Sequence, residues 1–322
     1  WAGLTHYALG AGQKFGPESL KLWLETAWAI VRQHKKTPFD LLHAFWVDEA
    51  GFSAALAGAI IKRPVVASLG GWELTYIPTI NYGAQRFLTR RLTVKFALRR
   101  ASRITAGSNY QLDLCREHQV SEHKLCLAPL GVDTDYFRPP NPDNRSSLPP
   151  ALVQVASLVP VKNQALLCQV LSLVKAEVPN IRLNLAGSGP LRAELVTLVQ
   201  KLELDDHILW HQQVAHRTLP RLYQQSHLYL QTSWHESQGM AVLEAMACGL
   251  PVLGTPVGVV RDVACLPAQE SVEGLAAQVS QVLLDQSHYL ERSSQAHRIV
   301  EQEFSLPVVT RNFLGIYQHC LS

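Results

Sequence analysis

The sequence predicts an α/β fold of two doubly wound domains, and three observations point to it. The chain has 322 residues, room for two cores of ordinary size. Short apolar runs alternate with helical ones along most of its length, the pattern of a parallel sheet covered on both faces. One stretch, DYFRPPNPDNRSSLPP (135–150), is rich in Pro, Asn and Ser and divides the series as an interdomain linker would.

In the first half FDLLHAFW (39–46) reads as a strand and FSAALAGAII (52–61) as a helix. PVVASLG (64–70) is a second strand, followed by a long basic helical stretch, then strands RITAGS (103–108) and KLCLAPLG (124–131). Past the linker, ALVQVASL (151–158) is a strand and NQALLCQVLSLVKAEV (163–178) a helix. IRLNLAG (181–187) alternates as a strand should, with Ile181, Leu183 and Leu185 on one face. LRAELVTLVQKLEL (191–204) is helical, and ILWHQQV, HLYLQTS and PVLGT are strand-like with helices between them. Ligands of such sheets bind at the carboxyl ends of strands, so a cleft between the two domains is the expected site.

Composition narrows the class further. Hydrophobic residues make up 47% and charged residues 17%, which excludes a disordered chain. The longest apolar run, GFSAALAGAII, is about half of what a bilayer crossing needs. No signal peptide is visible, and a start at Trp1 instead of Met suggests that the true start is missing. The six cysteines (Cys115, Cys126, Cys168, Cys248, Cys265, Cys320) form no CxxC pair, which suits reduced thiols in the cytoplasm. Residues 1–150 carry 18 basic against 12 acidic side chains and the remainder 11 against 14, so the basic first half suits an anionic partner. Chance variation of the surface explains it equally well.

The most informative segment is HESQGMAVLEAMACGLPV (235–252). Gly239 and Gly249 bracket a helix of roughly residues 240–248, and Pro251 stops its continuation. The start of that helix offers unpaired backbone N–H groups, with Gly239 allowing close approach, and would hold a phosphate-sized anion. Glu244 lies one turn further in, among Met, Ala, Val and Leu. An ionised carboxylate there requires partners, and the adjacent hydroxyls of a sugar are one set that fits. Taken alone, two glutamates eight positions apart are read first as a locally paired helix acid and a surface loop acid.

In its full context, HESQGMAVLEAMACGLPVLGT resembles the donor-site segment of glycosyltransferase family 4, retaining transferases of GT-B architecture. AGSGPLRAELVTLV (186–199), VASLVPVKNQALL (155–167), FDLLHAFW and APLGVDTDYFRPP (128–140) resemble further pieces of that family in its order. The resemblance runs from about Phe39 to Val263. It implies two Rossmann-like domains facing each other across a cleft: an acceptor-side domain over 1–146, a nucleotide-sugar domain over 147–305, and a last helix over 306–322 that crosses back. It implies that Glu244 grips the donor ribose, that backbone N–H groups of Met240, Ala241 and Val242 beyond Gly239 face the diphosphate, and that Lys162 neutralises the leaving group. Glu236 would position the transferred sugar and stabilise positive charge at its anomeric carbon. No metal or other cofactor is implied, the nucleotide-diphosphate sugar being a co-substrate. A carbohydrate or lipid-linked acceptor is the expected partner. A non-catalytic nucleotide-sugar-binding homologue and a GT-B epimerase are the alternatives, while a dehydrogenase is disfavoured because no GxGxxG opens a strand–helix turn.

The chain departs from the family's pattern in places. Ser157 stands where the family commonly has arginine, leaving one cation fewer on the leaving group, with Arg261 a candidate to compensate. In SLGGWE (68–73), Gly70 stands where relatives often carry histidine; Gly70, Gly71, Trp72 and Glu73 are candidates for acceptor or sugar contact, a core Trp with a surface Glu being the other reading. Asp262 replaces the family's glutamate in VGVVRDV. The family's first strand and glycine turn are not visible; WAGLTHYALGAG (1–12) follows them or the strand is missing. Asp133 and Asp135 form a DxD triplet, read as turn caps and not as a metal site. Finally, RFLTRRLTVKFALRRASR (86–103) holds seven cations and no acid. Spread around the helix, they fit peripheral contact with an anionic membrane at its inner face, or a solvated basic surface. No nucleic-acid recognition motif accompanies them.

Overall fold

The computed structural model describes residues 17–140 and 148–322. The reading of WAGLTHYALGAG and the middle of the linker (141–147) lie outside the described residues. The chain forms two compact units: one takes residues up to Ala106, Leu114–Cys126 and Leu314–Ser322, the other Gly107–Asp113 and Leu127–Phe313.

The first unit begins with α1 (Pro17–Lys36), β1 (Leu42–Phe45), α2 (Glu49–Ile61) and β2 (Val65–Ser68). It continues through α3 (Leu88–Arg100), β3 (Arg103–Ala106), the end of α4 (Asn109–Glu117) and β4 (Leu125–Leu127). The strands lie in the order β1-β2-β3-β4, with β2 parallel to both neighbours. β2 is buried along its whole length, as a central parallel strand must be. α2 is rich in Ala and Gly because it presses on that strand: a methyl group at Gly58 would come within 2.4 Å of the Val65 side chain. Its outer flank packs on α1 through Ala57, Ala27 and Val31.

The second unit has the strand order β7-β6-β5-β8-β9, formed by β5 (Ala151–Val155), β6 (Arg182–Ala186), β7 (Ile208–His211), β8 (Leu228–Gln231) and β9 (Val252–Gly254). Every pairing is parallel. The order reverses between β5 and β8, and such a reversal opens a crevice at the carboxyl ends of the two strands. Alternate residues feed two cores. Leu152, Leu183, Leu185, Leu228 and Leu230, with Ile181 just before β6, pack on α5 (Gln164–Glu177) and α10 (Val272–Leu284). Val153, Ala186, Tyr229 and Val252 pack on α7 (Leu219–Gln224) and α8 (Met240–Ala247). The expected common face of Ile181, Leu183 and Leu185 is therefore present. The remaining helices are α6 (Arg192–Lys201), α9 (Val260–Val263), α11 (Gln286–Ile299) and α12 (Leu306–Leu321). None of the described helices is long and apolar enough to cross a membrane.

Candidate functional site

The second unit's crevice is lined by the loops at the carboxyl ends of β5 and β8. After β5, a single 3-10 turn (Pro160–Lys162) ends in Asn163, whose φ of 48° turns the chain into α5. The glycines of AGSGP bring the next loop against this one, since a methyl at Gly187 would lie 1.9 Å from the Ala156 carbonyl oxygen. After β8, the loop to α8 is tied down at several points. Trp234 N–H donates to the Val161 carbonyl (2.8 Å) and the Thr232 hydroxyl to the Lys162 carbonyl (3.1 Å). The Thr255 hydroxyl reaches the Ser233 carbonyl (2.7 Å). Gln238, buried, uses its side-chain amide to exchange two 2.8 Å bonds with the backbone of Leu130. Two loops far apart in sequence are thus fastened together before any ligand arrives.

That fastening places Lys162 against Glu236. The Lys162 Nζ donates to Glu236 Oε1 at 2.5 Å, and the same oxygen accepts from Gln231 Nε2 and Ser233 Oγ, both at 2.9 Å. Both charged side chains are largely but not fully buried. Gly239 follows at φ 97°, a left-handed conformation that glycine adopts without strain, and opens α8. At the other end Gly249, with φ 74°, closes the helix as the sequence predicts, its N–H donating to the Met246 carbonyl.

Among the described residues, the N–H groups of Met240 and Ala241 have no backbone acceptor, which leaves them available to an anion. Val242 differs from the expectation. Its N–H already donates to the Gly239 carbonyl at 3.0 Å, because the left-handed turn at Gly239 brings that oxygen within reach.

Glu244 is buried, 8% exposed, yet both its oxygens are occupied. Tyr223 donates its hydroxyl to Oε2 (3.0 Å) and His216 Nε2 meets Oε1 (3.2 Å). Burial raises the Glu244 carboxyl above its ordinary range, partly offset by the Tyr223 and His216 hydrogen bonds. Tyr223, itself buried against this carboxylate, is pushed well above its ordinary value. His216 stands on the solvent side, stacked along Tyr136 and edge-on to Phe137.

Tyr223, His216, Gln231, Ser233 and Gln238 are not singled out by sequence pattern. The first two come from another loop and helix, and only folding brings them to Glu244. The Gln and Ser residues sit in or beside the segments that resemble the family, where polar side chains in a buried loop are the available signal.

Other candidates fall differently. Ser157 is exposed, and its carbonyl accepts from Gln164 Nε2 (3.0 Å). Arg261 pairs with Asp113 at 2.7 Å. Asp262 Oδ2 instead accepts from the Asn109 N–H (3.1 Å). Asp133 Oδ1 accepts from the N–H groups of Asp135 and Tyr136, so the triplet caps a turn.

In the first unit, Gly70, Gly71, Trp72 and Glu73 follow β2. The reading of a core Trp with a surface Glu is reversed: Glu73 is fully buried and Trp72 only half-buried. Glu73 clamps the turn, accepting from the N–H groups of Gly70 (2.7 Å) and Gly71 (2.6 Å). Burial raises its carboxyl, with those backbone bonds working against the shift. The glycine at 70 is required for a local reason: a methyl there would lie 2.0 Å from the exposed Trp46 ring. Beside this turn a row of hydrogen bonds crosses three strands, from Tyr317 to His43 (2.6 Å), His43 to Ser68 (2.7 Å) and Ser68 to Thr105 (2.5 Å). Burial pulls the His43 imidazole down to about 4, so it is neutral there.

Two family descriptions match the chain side by side: "Glycosyltransferase Family 4" over residues 6–136 and "Glycosyl transferases group 1" over 141–300. The chain belongs to the family-4 glycosyltransferases of GT-B architecture. Among curated relatives, the gpi3 subunit of phosphatidylinositol N-acetylglucosaminyltransferase from Schizosaccharomyces pombe is 27% identical over 219 residues, 65% of this chain and 47% of that protein. The chain thus spans about half of that relative's length. N-acetyl-alpha-D-glucosaminyl L-malate synthase of Bacillus anthracis is 24% identical over 88% of this chain and 75% of its own. The solved structure of HepE from Anabaena with UDP and glucose superposes with a TM-score of 0.77 at 20% identity, over 95% of this chain and 84% of that one. That likeness concerns the fold.

Proposed function

We propose that the protein transfers a sugar from a nucleotide-diphosphate sugar to a carbohydrate or lipid-linked acceptor, with retention at the anomeric carbon and without a metal. The observation that carries this reading is the placement, on one strand-order reversal, of a cation (Lys162), two unpaired helix N–H groups and a buried carboxylate (Glu244). The ribose hydroxyls donate to Glu244 and the diphosphate sits at the start of α8. Lys162, now shared with Glu236, turns its charge to the leaving oxygen, doing the work a metal ion would otherwise do. The acceptor hydroxyl attacks the anomeric carbon from the face the diphosphate leaves. The old carbon–oxygen bond breaks, the new one forms, and the departing phosphate oxygen takes the acceptor's proton. Glu236, held by three donors on one oxygen, stabilises the positive charge that develops in between.

Contact with the anionic inner face of a cytoplasmic membrane is the finer part of the proposal. Leu88 and Leu92, 70% and 60% exposed, project from α3 among its cations and support it. The test is release of nucleoside diphosphate from a panel of nucleotide sugars, with and without acceptor sugars and lipids. Turnover should collapse in Lys162→Ala and Glu244→Ala while both variants stay folded. Full turnover in both would end the donor-site assignment, and binding without release under every acceptor would leave a binding protein instead.

A further inference from the structure

We propose that a groove of the first unit, between α3 and the turn leading from α4 to β4, binds a phosphoryl group. The cavity measures 540 Å³. Arg91, Lys95 and Arg99 line one wall, spaced four apart and therefore on one face of α3, and Lys124 lines the other. The only acid in its lining is Glu117.

The cations of the same helix divide by burial: Arg90 is buried, while Arg91, Lys95 and Arg99 are exposed along the groove. Arg90 points inward and is neutralised by Asp48 (2.8 Å) and Glu49 (2.6 Å). Among the described residues, Arg91, Lys95, Arg99 and Lys124 have no carboxylate partner. Arg91 near the start of the helix is also on the wrong side of its dipole, and each like-charged pair four apart destabilises the helix. Lys124 is held in place by the Arg99 carbonyl at 2.7 Å, with donor capacity left over. Arg91 Nε donates to the Gln85 carbonyl, and the remaining donors of this row face Lys124 across the groove, an arrangement that fits a doubly charged phosphate ester, whose oxygens meet arginine in pairs.

The groove is also tied to the turn after β2. Two of its lining side chains, Gln85 and His118, hold the carbonyls of Glu73 (2.5 Å) and Leu74 (2.9 Å). A ligand seated there bears on the Gly70–Glu73 turn. The proposal goes beyond the donor-site reading and does not depend on it.

The phosphate could belong to a soluble sugar or polyol ester or to a lipid headgroup, and the experiment separates them. The full chain is titrated with glycerol 3-phosphate by calorimetry, UDP being present to occupy the donor site. In parallel it is sedimented with phosphatidylcholine vesicles containing phosphatidic acid. The paired variants are Lys95→Gln with Arg99→Gln, and as a control Lys35→Gln with Lys36→Gln, which removes the same charge from an exposed part of α1. Loss of the groove pair should weaken binding about tenfold or more, and the control less than about twofold. Loss seen with glycerol 3-phosphate identifies the site, whereas loss seen only with vesicles returns these cations to the membrane contact proposed above and overturns a separate phosphoryl site. No binding of either probe, or equal loss in the two pairs, overturns the proposal. Nucleoside diphosphate affinity should be the same in both pairs, so failure here leaves the donor site untouched.

Discussion

Replacing Glu244 by glutamine should weaken nucleotide binding while leaving the protein at least as stable. A carboxylate has four acceptor positions, and in Glu244 Tyr223 and His216 use one on each oxygen. One position per oxygen remains, which is what two adjacent ribose hydroxyls require. Glutamine keeps an oxygen for Tyr223 and turns its NH₂ towards His216, whose ring nitrogen accepts in the other tautomer, so folding leaves no buried group unpaired. One ribose hydroxyl, however, loses a charged acceptor. A hydrogen bond of that kind contributes about 2–3 kcal/mol, which corresponds to about a 30- to 150-fold rise in Kd. The effect on stability runs the other way. Burial raises the Glu244 carboxyl in the folded state above its unfolded value, so folding favours the protonated form and stability is lost as pH rises through that interval. Glutamine carries no such cost, so Glu244→Gln should melt no lower than the parent at pH 7, and its advantage should shrink as pH falls. Calorimetric titration with UDP and GDP, beside thermal melts at several pH values, checks both halves. A folded variant that binds the parent's preferred diphosphate equally well refutes the ribose assignment. A variant that melts several degrees lower shows the carboxylate to be structural.

The same geometry sets further outcomes. Lys162→Met should cut turnover at least about 100-fold, the scale of one lost oxyanion-type contact, with a smaller change in KM. Arg90→Met leaves Asp48 buried without its cation and should destabilise the fold by about 3 kcal/mol, read from urea unfolding. His43, pulled down to about 4 from its ordinary 6.5, is a base whose unfolded form takes up the proton first. Stability should therefore decline as pH falls from 6.5 towards 4, and His43→Gln should flatten that slope. Cys115 and Cys168, whose thiols burial pushes up to about 12, should resist alkylation at pH 8 until the protein unfolds, as mass spectrometry of labelled peptides would show.

Much of this molecule is readable from residue order because its decisive patterns are local. The strand–helix alternation, the glycines bracketing α8 and the Asp133 turn cap each involve a few consecutive residues. Their backbone preferences survive in any context that buries the same apolar faces. The cation and carboxylate of the second half, Lys162 and Glu244, are singled out through the family resemblance of their short segments, not by turn chemistry alone.

Contacts between distant segments were decided only by the tertiary structure. It paired Lys162 with Glu236 across 74 positions, set Tyr223 and His216 on Glu244, and paired Arg261 with Asp113. It inverted one of the two readings of Trp72 and Glu73, because a carboxylate that accepts three backbone N–H bonds can be buried where composition places it outside. It also sorted the basic stretch into one neutralised arginine and a stripe along a groove. A charge's effect depends on which opposite charges lie within a few ångströms and how much water separates them. Those distances are properties of the folded chain, not of neighbouring letters.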